Sequence, residues 1–379
     1  MNKKMIAILI GTLLLSGCWG LMELPDVAIV SGVGIDLVDS GEYEVTTQSI
    51  QPIAIEEKQP TGFITRSSRG VTIFEAVRNF IYEMGKKQLW EHVDALIISS
   101  DIAQNNILAA TDFLYRDHEP RPKMICFISK GQARELLELE SELHPVPAIA
   151  IREAMENQAD LSKAPYVELK DFKKLIAEPF QDPYLPIIQK NQEDFDILGT
   201  ALFKEEKMIG ELSPIETRSM LRILGEVEGG LQVLNLNQGS NDNEPQYATV
   251  EIKNSQSKIE AVFDMPEPKI KITIKEKAVI GDINPPFPIN EDTLKTIETI
   301  YAQTVKNELV HAVNKIQKEY KVNVLKFAEV IRRSNREYWK INREEWDEIY
   351  PTLPIVIEVQ TDIAHSQLIK DRIGTKNKE

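Results

Sequence analysis

Residues Val27-Ala-Ile-Val-Ser-Gly-Val-Gly-Ile35 form a β-branched run, and Tyr43–Ile50 follows after an Asp39-Ser-Gly41 turn, so the pattern predicts a hairpin. Thr72-Ile-Phe-Glu75 carries a capping-box signature, and Ile73, Phe74, Val77, Phe80, Ile81 and Met84 then recur at helical spacing up to Gly85. That spacing predicts an amphipathic helix packed on a sheet. Val93–Ser99 reads as a buried strand, Asp101–Tyr115 as a helix, Lys123–Ser129 as a second buried strand, and another helix opens near Gln132. Helices over Ala148–Gln158 and Leu169–Ala177 bring the chain to Pro179, Pro183 and Pro186, and a domain boundary is placed near residue 193.

The second half opens with a strand over Phe195–Phe203, a turn at Lys204-Glu-Glu-Lys207, a strand at Met208–Leu212, and a helix with Pro214 at its first position. Strands are expected near Leu231–Leu236, Tyr247–Lys253, Lys258–Phe263 and Ile270–Ile274, with Gln238–Pro245 as a solvated loop. From Asn290, the apolar positions Leu294, Ile297, Tyr301, Val305, Leu309, Val313 and Ile316 mark the longest helix, out to about Glu319. At about 30 residues it would be roughly 45 Å long and span a sheet face. A short helix over Leu325–Arg332, the segment Trp339–Tyr350 and a last strand at Pro354–Gln360 complete the pattern.

Together these elements predict an α+β, multi-domain protein of mixed sheets with packed helices and a long helix in the C-terminal half. The expected division is residues 1–17, an N-terminal α+β domain over 18–192, and a C-terminal α+β region over 193–379, with a further split near 280 as an option.

Residues 1–17 read as a signal peptide: Lys3-Lys4, an uncharged run of 11 residues from Met5 to Leu15, then Leu15-Ser16-Gly17-Cys18. As a helix the apolar run would reach roughly 16 Å, too short for a bilayer that needs about 20 residues. The tetrapeptide fits a lipobox. Cleavage between Gly17 and Cys18 would leave Cys18 with an S-diacylglyceryl group and an acylated amino group, enough for stable anchoring. A packed N-terminal helix is the competing reading, and it would lack a polar face.

Loss of residues 1–17 removes two lysines and shifts the formal charge from −15 to −17. With 59 acidic against 44 basic side chains, nucleic acid is excluded as a partner by this balance. Cys126 is the only other cysteine, so no disulfide is expected, and its apolar strand-like surroundings make it a buried thiol.

Candidate chemistry is sparse. His92, His118, His144, His311 and His365 have no ligand spacing, so neither a metal nor a cofactor is expected. Asp117-His118-Glu119 reads as a solvated loop, because adjacent side chains do not converge on one point. Gly32-Val-Gly34 lacks the third glycine of a dinucleotide fingerprint, since position 37 is leucine. Ser255-Gln-Ser-Lys258 satisfies a Ser-x-x-Lys pattern, yet it reads as a turn between strands without companion motifs. The aromatic set Tyr338, Trp339, Trp346 and Tyr350 is expected to cap the C-terminal core, a partner platform being the alternative. No enzyme is indicated.

The ordered segments resemble the Ger(x)C family, the lipoprotein C-subunits of nutrient germinant receptors in endospore-forming bacteria. The resemblance is carried by Gly17-Cys18-Trp19-Gly20, Glu23-Leu24, Gly34-Ile35-Asp36, Ala95–Ala103, Asp112–Asp117, Gly199–Lys204, Met208–Leu212 and the pair Trp339 and Trp346. Gly20 departs from the family's usual Asp. The resemblance implies a non-catalytic protein, lipidated at Cys18, facing away from the cytoplasm at the inner membrane of the spore. It implies A-type and B-type membrane subunits as partners. The alternative from another class is a solute-binding lipoprotein delivering a small molecule to a transporter, which would need two similar lobes around a cleft.

Overall fold

In the computed structural model, residues 27–364 are described, apart from 52–54, 58–61, 85–86, 117–119, 141–143, 193, 238–245, 265–267 and 285–289. The expected hairpin is β1 (Val27–Leu37) and β2 (Tyr43–Ile50), antiparallel, with Gly41 at φ 82 in its turn. β3 (Phe63–Gly70) pairs with β2. α1 (Ile73–Met84) follows, with the Glu75 N–H donating to Thr72 Oγ1 at 3.2 Å and the Glu75 carboxylate accepting from the Val71 N–H at 2.8 Å. Ile73, Ala76 and Phe80 are buried, while Phe74 and Ile81, expected on the same face, are exposed. A 12-residue helix over a sheet edge buries a narrower stripe than its apolar content suggests.

β4 (Lys87–Leu89), β5 (Ala95–Ser99) and β6 (Ile125–Ser129) are parallel additions around β1, with α2 (Ser100–Arg116) crossing from β5 to β6. α2 was expected as one helix and is two: Asn106 leaves helical geometry, and its Oδ1 accepts from the Ala109 N–H at 3.1 Å as an internal cap. α3 (Ala133–Leu137), α4 (Pro147–Asn157) and α5 (Leu169–Ala177) precede β7 (Tyr184–Asn191), which pairs parallel with β6. β8 (Asp194–Lys204) and β9 (Lys207–Leu212) complete the first sheet, ordered β3-β2-β1-β5-β6-β7-β8-β9 with β4 beside β1. Residue 193 lies outside the described residues; Asn191 pairs with Asp194, and β8 and β9 belong to the same sheet as β7.

α6 (Pro214–Leu224) begins with the capping box of Ser213 and Glu216 and ends at Gly225 with φ 75. The second sheet is β10 (Gly230–Asn235), β11 (Tyr247–Val262), β12 (Lys269–Asn284) and β13 (Ile355–Ala364), in that order. The two strands expected at 247–253 and 258–263 are one strand: the run Ser255–Lys258, read as a turn, pairs with β12 after a register shift beyond Ile252. β12 is likewise far longer than 270–274 and runs through residue 280. The long helix appears as α7 (Glu291–Asn314), capped by Asn290 and extended by a π turn over Lys315–Glu319, packed against β13. α8 (Phe327–Ser334), α9 (Arg336–Asn342) and α10 (Trp346–Ile349) close the chain before β13, which joins β12 in parallel. The architecture is therefore α+β, with two mixed sheets and packed helices, as the pattern predicts.

Candidate functional site

Cys18, the one residue to which the sequence assigns a chemical role, lies outside the described residues, as do His118 and His365, the Gly85 cap and the Gln238–Pro245 loop. Asp117 and Glu119 lie outside them too; the glycine pair, Cys126 and the tryptophan pair are placed, and each resolves into packing. Gly32 and Gly34 sit within β1 beneath two helices: a Cβ on Gly32 would meet Ala148 Cβ and Leu137 Cδ2 at 2.7 Å, and one on Gly34 would meet Ala133 Cβ at 3.2 Å. Those glycines serve close helix-to-strand approach. Asp36 follows them, and its carboxylate accepts the Ala133 and Arg134 N–H groups at 2.7 and 3.0 Å, satisfying two donors at the start of α3. Burial pushes the Asp36 pKa up despite those two donors.

Gln48 completes this packing from β2. Its Nε2 donates to the Leu137 carbonyl at 2.6 Å, and its Oε1 accepts from the Ala148 N–H at 2.9 Å and from Ser31 Oγ at 3.2 Å. Cys126 is fully buried in β6, where burial drives its thiol pKa far up and keeps it inert. Trp339 and Trp346 are buried, with ring centroids 5.3 Å apart, and cap the core as expected.

The Ser-x-x-Lys pattern ends differently from the turn expected of it. Ser255 and Lys258 lie inside β11, three apart and hence on opposite faces. Ser255 Oγ donates to Glu276 at 2.9 Å, while Lys258 stands in solvent beside Glu260. No acyl-transfer pair exists between them.

Ser255 leads instead to a polar centre that sequence reasoning missed. Arg222 and Glu276 are both fully buried, with Arg222 Nε 3.0 Å from Glu276 Oε1. Arg222 Nη1 donates to Glu308 at 3.0 Å, Tyr301 Oη donates to Glu276 at 2.6 Å, and Gln232 Nε2 donates to Glu308 at 2.8 Å. Arg218 reaches Gln232 at 2.9 Å and the Leu231 carbonyl at 2.5 Å. Burial opposes the charge on Arg222, yet Glu276, Tyr301 and Glu308 together outweigh it and leave the pKa raised; Arg218 is lowered, by burial and then by Arg222. Two arginines against two glutamates balance in charge, and the group joins α6, β10, β11, β12 and α7. Its signal was in the chain: Glu276 interrupts the alternation Ile270, Ile272, Ile274, Ala278, Ile280 on the buried face of β12.

A second junction ties the first sheet to the segment after α7. The Asp182 carboxylate accepts the Asn323 N–H at 2.6 Å and faces Lys204 at 3.4 Å, and the Asp182 N–H donates back to the Asn323 carbonyl at 3.3 Å. Phe180 stacks edge-on against Trp339 at 4.9 Å. Among the described residues, no group of three or more His, Cys, Asp and Glu is placed to hold a metal, and no helix is long and apolar enough to cross a membrane.

Residues 21–190 match the family described as the spore germination protein N-terminal domain, and residues 198–367 match the family described as spore germination B3/GerAC like, C-terminal. Spore germination protein B3 of Bacillus subtilis (strain 168) is 23% identical, over 89% of this chain and 91% of its own. Spore germination protein KC of the same organism is 22% identical, over 99% of this chain and 98% of its own. The crystal structure of the GerBC protein superposes with a TM-score of 0.56 at 18% identity, covering 88% of this chain and 96% of that one, and so shares the fold. With both family matches together spanning most of its length, the chain belongs to the C-subunit family of GerAC-like spore germination proteins.

Proposed function

We propose that this chain is the lipid-anchored component of a spore germinant receptor, held through Cys18 at the outer face of the spore's inner membrane. In this reading it works by assembly with A-type and B-type membrane subunits. The observation that carries the reading is the pair of germination-family matches over residues 21–190 and 198–367, which begin three residues after the lipobox cysteine. The buried, neutralised polar centre supports it, because such a centre stiffens a scaffold and offers no reactive group to solvent. A solute-binding lipoprotein would need two like lobes, whereas the two sheets here differ in strand number and order.

Deletion of the gene should slow or abolish nutrient-triggered germination, and restoration of the intact chain should recover it. Restoration with Cys18→Ala should not. Normal germination of the deletion strain in every nutrient, with no related C-subunit gene present, would overturn the proposal.

A further inference from the structure

The path of the chain fixes which end of the first sheet is tethered. β1 begins at Val27, nine residues beyond Cys18, and a fully extended link of that length reaches at most about 32 Å. β5 and β6 run parallel to β1 and begin at the same end. α1 returns to that end too, since β4, which follows it, pairs Lys87–Leu89 with Val27–Ile29.

What stands exposed there is amphipathic. Tyr82 is 89% exposed and Ile81 is 55% exposed on the last turns of α1. Beside the starts of β5 and β6 lies an open basin of about 390 Å3 lined by Ile29, Ile50, His92, Arg121, Lys123 and Arg152, together with Glu91 and Asp94. Arg152 is 3.3 Å from Asp94 and Arg121 is 3.7 Å from Glu91, while Lys123 has no hydrogen-bond or ion-pair partner among the described residues. Exposed Glu56 and Glu57 also stand at this end. The opposite end, about 33 Å away along β1, is the hairpin tip with Asp39 and Glu42, beside Arg69 and Arg134, which face Glu44.

We propose that this tethered end lies on the membrane surface, with Tyr82 and Ile81 entering the headgroup layer and Arg121 and Lys123 pairing with lipid phosphates. A tyrosine with an apolar body and a polar tip suits the interface between water and acyl chains. Carboxylates outnumber bases at this end, so the electrostatic contact is local, made by Lys123 and by Arg121 at the rim, and screened within about 8 Å at physiological salt. The proposal rests on the lipid anchor at Cys18 and adds the orientation of the protein above it.

The test uses the full lipidated protein bound to vesicles of phosphatidylglycerol and phosphatidylethanolamine that carry a headgroup spin label. Single cysteines at Tyr82, Lys123 and Ser40 take a fluorophore in turn, Cys126 being buried and Cys18 blocked by lipid. Quenching several-fold stronger at positions 82 and 123 than at 40, with the contrast at 82 reduced by Arg121→Glu and Lys123→Glu together, is the expected result. Vesicle binding with quenching at position 40 equal to or above that at 82 and 123 would overturn the orientation alone. Failure of the lipidated protein to float with vesicles would overturn the anchor and the orientation together.

Discussion

Arg222 shows how much one buried side chain decides. With Glu276 fully buried beside it, Arg222→Met strands a carboxylate away from water, and a loss of about 3–5 kcal/mol is expected in urea unfolding. Adding Glu276→Gln removes the stranded charge and should recover part of that loss; a single variant within about 1 kcal/mol of wild type would contradict the role given to the pair. Glu216 provides a pH-dependent case. Burial alone would raise its pKa, but Lys315 at 2.8 Å and the Ser213 N–H at 2.7 Å outweigh burial and hold it below 4.5. A lowered folded-state pKa gives stability that is full above the unfolded value and is lost as pH falls through the folded one. The gap in Tm between wild type and Glu216→Gln should therefore narrow from about pH 7 to about pH 3; a pH-independent gap would contradict the assignment. Glu276 was legible as a charge on an otherwise apolar strand face. Its partners were not, since Arg222, Tyr301 and Glu308 come from two helices whose contact with β12 only the fold reveals.

Elements were the most readable level where periodicity and caps agreed. Asn290 and Pro214 begin helices where the chain announces them, and Val93–Ser99 and the Cys126 run are buried strands because continuous apolar sequence between two helix layers has no other use. Ser255–Lys258 misled because Ser favours turns in isolation, whereas here a 16-residue partner strand supplies its neighbours. Asn106 misled in the other direction, as a helix interior that the backbone breaks in order to donate the Ile107 N–H to the Glu206 carbonyl at 2.9 Å. Two outcomes follow at this level. Gly32→Val should cost about 1–3 kcal/mol, by pushing Ala148 and Leu137 away from β1, with Ala148→Gly recovering part of it. Ser213→Ala, which removes the hydroxyl from the capping box, should cost about 1 kcal/mol in thermal unfolding. No change in either variant would show that these contacts carry little weight.

At the scale of the whole molecule, fold class and family were legible because many short segments keep their order along the chain, from Gly34-Ile35-Asp36 to Trp346. Pairings between distant segments were not legible: β13 joins β12 only after some 70 intervening residues, and β7 meets β6 across three helices. Nothing in local periodicity encodes such neighbours. The polar centre joins α6 and α7 to the second sheet, and the Asp182–Asn323 junction ties the first sheet to the segment after α7. In the proposed function, contact with lipid and with partner subunits falls to the tether and to the surface. The most direct test is affinity purification of the tagged full chain from detergent-solubilised spore inner membranes, with the co-eluting proteins identified by mass spectrometry. Recovery of one A-type and one B-type subunit in near-equal amounts with it is the predicted result; recovery of the chain alone, from spores that germinate normally, would contradict a receptor component.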